Sequence, residues 1–118
     1  MPKGSEELTQ ARKDEIISAC AELYETMNFK DVTLKDIGAK TSFTRTLIYY
    51  YFHTKEEIFL ALLQREYEAW IEDLHEIRMS CRRMTVSQFA DALARSLERR
   101  SRLLKLMSMN HYDMEANS

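Results

Sequence analysis

The chain has 118 residues, 45% of them apolar, with two glycines, one proline, two cysteines and a net charge of −2. That is enough for one small domain plus part of another, and too little glycine and proline for hairpins or a phosphate-cradling loop. No apolar run approaches the roughly 20 residues of a membrane span, and the polar start MPKGSEELTQ has no apolar signal core, so a cytoplasmic location is expected.

The first helix is expected from about Glu6 to Met27, with Ile16, Cys20, Leu23, Tyr24 and Met27 as its apolar face. Asn28 to Asp31 reads as a turn. A second helix opens at Thr33, where Thr33 and Asp36 resemble a capping box. Gly38 lies inside that helix at a cost of about 1 kcal/mol relative to alanine, which a close helix crossing would explain. Thr41, Ser42 and Phe43 break the pattern. Thr44 then caps a third short helix, Arg45 to about Phe52, with Phe43, Ile48 and Phe52 inward, and Tyr51 also expected in the core. Thr44, Arg45, Thr46, Tyr49 and Tyr50 are left facing mostly outward.

Thr54 and Glu57 form a full capping box that opens a long helix to about Arg78, with Trp70 among its apolar positions. A basic connection, Arg78 to Met84, leads to another capping box, Thr85 and Gln88, and a helix with Phe89, Leu93 and Leu97 inside. A last helix from about Ser101 carries Leu103, Leu104, Leu106 and Met107. The fold class is therefore all-α.

Charge is segregated along this frame. Residues 26–55 carry +3 and residues 77–107 carry +6, while residues 1–25, 56–76 and 108–118 carry −3, −6 and −2. Local sign, rather than net charge, decides where a phosphate backbone can dock. Two capped short helices joined by a tight turn, after a longer helix, form a helix-turn-helix over about residues 33–52 whose second short helix enters a major groove. Arg45 suits guanine, Thr44 and Thr46 suit phosphate or base edges, and Tyr49 and Tyr50 offer hydroxyls and apolar edges. Lys55 and Thr33, at helix starts, are expected at backbone phosphates.

The second half reads less sharply. Trp70, Phe89, Leu104 and Met107, with Met79, Met84 and Tyr112, line part of a ligand cavity or are plain core. The arginines 78, 82, 83, 95, 99, 100 and 102 form a second phosphate surface or pair with Glu22, Glu25, Glu66, Glu72, Asp73 and Glu76. Cys20 and Cys81 are expected as reduced buried thiols, and His111, Asp113 and Glu115 are a weak metal candidate. No nucleophile–base arrangement stands out, so the chain is expected not to be an enzyme and to hold no cofactor. A helical protein–protein interaction module is the competing reading.

The stretch VTLKDIGAKTSFTRTLIYYYFHTKEEIFLALL resembles the reading head of the tetracycline-repressor (TetR) family of transcriptional regulators. Thr33, Asp36, Ile37, Phe43, Thr44, Ile48, Tyr49, Phe52, Lys55, Glu56 and Glu57 occupy the places of its pattern, and the likeness covers about residues 10–70. Three positions depart from it. Ser42 stands where a turn glycine is usual, Thr46 replaces a glycine of the reading helix, and Leu47 replaces a common threonine. Serine resists the positive φ that glycine accepts, so an altered turn is expected. Thr46 and Leu47 change the surface offered to bases, so a distinct operator is expected. The resemblance implies a homodimer on a palindromic double-stranded operator and release of DNA by a small-molecule effector, with repression the usual outcome. It also implies a connecting helix from Thr54 into a C-terminal ligand-binding and dimerisation domain, of which residues 71–118 would be the beginning of a truncated bundle.

Overall fold

In the computed structural model, which describes residues 3–80 and 83–110, the elements are all helical. They are α1 (Lys3–Thr26), α2 (Leu34–Lys40), α3 (Arg45–Tyr51), α4 (Lys55–Ser80), α5 (Val86–Glu98) and α6 (Ser101–Lys105), which widens into a π-helical turn, Leu106–Asn110. Cys81, Arg82, His111, Tyr112, Asp113 and Glu115 lie outside the described residues. The chain divides into two compact units, one reaching to Leu62 and one starting at Leu63.

The first unit is held by one apolar centre. Ile16, Cys20 and Tyr24 of α1 lie at helical spacing and are fully buried, with Val32 after the turn, Ile37 of α2, Ile48 of α3, and Ile58, Phe59 and Leu62 of α4. Their removal from water is the main drive for forming these short helices, which are too short to persist alone. The Phe59 ring receives Tyr24 and Phe29 edge-on at centroid distances of 5.2 and 4.8 Å, the arrangement the ring quadrupoles favour.

Burial pushes the Tyr24 hydroxyl up to about 12, with the nearby Cys20 thiol adding to the effect. The native state thus holds a proton that an unfolded tyrosine releases near pH 10. The associated stability is complete below pH 10 and is lost as pH climbs to about 12. Urea melts between pH 9 and 12 are expected to show that fall, and Tyr24→Phe to flatten it. An equal fall in Tyr24→Phe would assign it to other groups.

Gly38 does sit at a helix crossing. A methyl built there would meet the Ile48 Cδ1 atom of α3 at 3.4 Å, ordinary contact with the movable end of a side chain. No described residue has positive φ. The backbone therefore does not require glycine, and Gly38→Ala is expected to raise stability by about 0.5–1 kcal/mol through helix propensity. A lower melting midpoint would mean that Ile48 cannot shift.

The second unit buries Leu63, Leu103 and Leu106 and is also joined by polar contacts. Ser96, fully buried on α5, accepts the Trp70 indole N–H at 3.0 Å and donates to the Leu93 carbonyl at 2.6 Å. Arg100 grips Asp73 with two N–H groups, at 2.6 and 2.7 Å. Arg102 donates to Glu66 at 2.9 Å. The Arg100 hydrogen bonds hold the Asp73 carboxyl below the usual carboxylate range. Of the two readings of the arginine run, pairing with the acidic face of α4 is realised at these two positions. Glu22, offered as another partner, pairs instead with Lys40 at 3.5 Å.

Two expectations for this unit fail. Phe89, expected inside α5, is 52% exposed, because apolar periodicity marks a face without guaranteeing anything to cover it. Leu93 and Leu97 are only half-buried, and the buried α5 position is Ser96. Along α6 and the π-helical turn after it the division is clean: Leu103 and Leu106 are fully buried, while Leu104 and Met107 are exposed.

Candidate nucleic-acid interface

Local hydrogen bonds build the two short helices and fix where they start. Thr33 takes an extended backbone and its hydroxyl accepts the Asp36 N–H, while Asp36 accepts the Thr33 N–H, both at 3.1 Å. Thr44 caps α3 in the same way, accepting the Leu47 N–H at 3.2 Å. In both cases the oxygen serves the helix and the hydroxyl hydrogen is left to donate outward. Both threonines are exposed.

The turn between α2 and α3 closes without positive φ. Thr41, extended at φ −107° and ψ 170°, donates N–H and hydroxyl to the Gly38 carbonyl at 3.1 and 3.0 Å. The Phe43 N–H returns to the Thr41 hydroxyl at 3.2 Å. Ser42 gives its N–H and hydroxyl to the Glu15 carboxylate of α1, at 3.2 and 3.4 Å. The turn thus closes on side-chain hydroxyl and carboxylate acceptors, with no residue in the left-handed region that favours glycine.

At 100° per residue, Arg45, Tyr49, Thr46 and Tyr50 fall within an arc of roughly 140° on α3. Arg45 and Thr46 are exposed, Tyr49 is 56% exposed and Tyr50 is 75% exposed. Ile48 lies well outside that arc and is fully buried. Leu47 and Phe43 are half-buried. Tyr49 stacks on His53 at 5.2 Å, and Tyr50 meets Tyr51 edge-on at the same distance. Tyr51 and Phe52, expected as core, are only half-buried. The Tyr51 hydroxyl accepts an N–H of Arg12 at 3.3 Å. The structure therefore brings Thr44, Arg45, Thr46, Tyr49 and Tyr50 together around one exposed face, with Thr33 capping the neighbouring helix.

Lys55 does not join them. Its ammonium donates to the carbonyls of Phe29 at 2.7 Å and Val32 at 3.1 Å, with a longer contact to Lys30 at 3.4 Å. It also lies 4.5 Å from the centre of the Phe29 ring. An ammonium has three donors, and the turn after α1 occupies all three. Lys55 thus fastens that turn. Sequence reasoning missed Arg12 and Glu15 of α1, whose partners lie 39 and 27 residues away; no local pattern signals them.

In the second unit an open depression of about 730 Å³ is bounded by Ile77, Met84 and Ala92 together with Arg83, Arg95 and Arg99. None of Trp70, Phe89, Leu104 and Met107 lines it. Trp70 is committed to Ser96, and the other three are exposed.

Residues 16–62 match the family model described as bacterial regulatory proteins, tetR family. Residues 64–118 match the model of a tetracyclin repressor-like, C-terminal domain. No curated protein and no solved structure matches the chain. Among the described residues, no helix is long and apolar enough to cross a membrane.

Proposed function

The chain belongs to the tetR family of bacterial regulatory proteins and is a DNA-binding transcription regulator, and we propose that it acts as a sequence-specific, effector-responsive repressor working as a homodimer on a palindromic operator in the cytoplasm. One observation carries the reading: α3 buries Ile48 and turns Arg45, Thr46, Tyr49 and Tyr50 outward over a single arc. A helix so loaded fits a major groove.

Within it, Arg45, Thr46 and Tyr50 read base edges, while Thr33, Thr44 and Tyr49 bond phosphate and set the register. Leu47, half-buried, offers its outer methyls to a thymine at the rim of the contact. Residues 10–70 act as the DNA-reading domain, and residues 71–118 belong to the effector-binding and dimerisation domain. The depression of about 730 Å³ falls in the size range of small-molecule sites and is the place proposed for the effector.

A selection from random duplexes with the whole chain tests this. The expected result is enrichment of two inverted half-sites with a fixed spacing, the signature of a two-fold protein. A single half-site would remove the homodimer from the proposal. No enrichment at all would favour a helical interaction module over a sequence reader.

A further inference from the structure

Ile48 is the fully buried residue of α3. A fully buried anchor near the middle of a two-turn helix fixes its depth, while the apolar residues toward its two ends, Phe43, Tyr51 and Phe52, are only half-buried and constrain its tilt less. Base-edge hydrogen bonds tolerate little rocking, because their strength falls steeply with distance and angle. Long cations reaching phosphates tolerate more.

Two polar contacts act at the two ends of α3. Glu15 accepts both the N–H and the hydroxyl of Ser42, two residues before the Thr44 cap. Arg12 donates to the hydroxyl of Tyr51, the last residue of α3. Arg12 and Glu15 are three residues apart on α1 and so share one face, separated along its axis by roughly 4.5 Å. Their attachment points span α3, roughly 10 Å long at 1.5 Å per residue. A single face of α1 thus holds both ends of α3, one by a carboxylate and one by a guanidinium.

We infer that Arg12 and Glu15 are positioning residues that set the tilt of α3 in the groove, and so govern discrimination between DNA sequences rather than general affinity. This rests on the proposal that α3 reads bases. It also accounts for Ser42. Serine supplies a hydroxyl that glycine lacks, and Glu15 receives it alongside the backbone N–H.

The test compares the whole chain and its variants on a selected duplex and on a scrambled duplex of equal length and salt. Glu15→Ala and Tyr51→Phe are each expected to lower the ratio of the two affinities about three- to tenfold, the net size of one to two hydrogen bonds, with the affinity for scrambled DNA unchanged. Glu15→Gln keeps an acceptor for Ser42 and is expected to restore the ratio, which a simple loss of charge would not allow. Arg12→Met is expected to match Tyr51→Phe, and the two together to cost no more than either, since they remove one bond. Equal losses on both duplexes would place Arg12 on phosphate and overturn the inference. So would an unchanged ratio in Glu15→Ala.

Amide exchange of the DNA-free protein gives a second readout. Ser42 N–H exchange is expected to accelerate in Glu15→Ala and not in Glu15→Gln. If the parent fails to discriminate between duplexes, the base-reading proposal fails, and with it the functional role of the bracket. Faster Ser42 exchange in Glu15→Ala would still demonstrate the contact itself.

Discussion

Lys55→Ala is expected to unfold with roughly 2–3 kcal/mol less stability than the parent, because it removes hydrogen bonds from a charged donor and a cation–π interaction at the same time. It is expected to leave the salt dependence of DNA binding unchanged. The ammonium of Lys55 lies over the Phe29 ring and meets the carbonyls of Phe29 and Val32. Truncation leaves those part-buried carbonyls without a donor and opens the turn that precedes α2. Lys55→Met keeps an apolar stem and removes the donors, so its stability should fall between the two. Urea melts of the three proteins give the order, and affinities at several salt concentrations give the slope. A phosphate contact would produce the opposite pair of results: near-parental stability, and a slope smaller by about one.

That case separates what was legible in the sequence from what was not. The capping residues were legible because a cap is local. Thr33 with Asp36, Thr54 with Glu57, and Thr85 with Gln88 all make the reciprocal bonds that their spacing implies. The inward position of Ile48 and the outward set on α3 follow from helical period alone, and the structure has both.

The part Lys55 plays in the turn was not legible, because its position, in the first turn of a capped helix, reads locally as an anion site. The competing acceptors lie 23 to 26 residues upstream, in a turn with no periodic signature. Arg12 and Glu15 were invisible for the same reason. Phe89 shows a different limit. Its period places it on the apolar side of α5, yet what covers that side is a tertiary fact. Ser96 is the converse, a polar residue fully buried because the Trp70 indole N–H needs an acceptor there. The turn at Ser42 closes without positive φ, and the carboxylate that reaches it from α1 has no local signature in the sequence.

Arg45→Ala is expected to cost about 1–3 kcal/mol on the selected duplex, roughly five- to 150-fold in affinity, and far less on scrambled DNA. Arg45 is the first residue of α3, next to the Thr44 cap, and is exposed. The N-terminal end of a reading helix is the part that approaches base edges. Its guanidinium presents two parallel N–H groups, the match to the two acceptors of guanine. Arg45→Lys distinguishes this from simple charge. Lysine keeps the cation and loses the planar fork, so it should retain binding to scrambled DNA and still lose most of the discrimination. If instead Arg45→Lys restores the selected-duplex affinity while Arg45→Ala weakens every sequence alike, the contact is to phosphate. Base reading by α3 would then rest on Thr46 and Tyr50. The bracket of Arg12 and Glu15 sharpens the same expectation, because a bidentate contact gains its discrimination only from a helix held at a fixed tilt. Glu15→Ala should therefore reduce the Arg45→Ala penalty on the selected duplex, a coupling measurable as a double-mutant cycle.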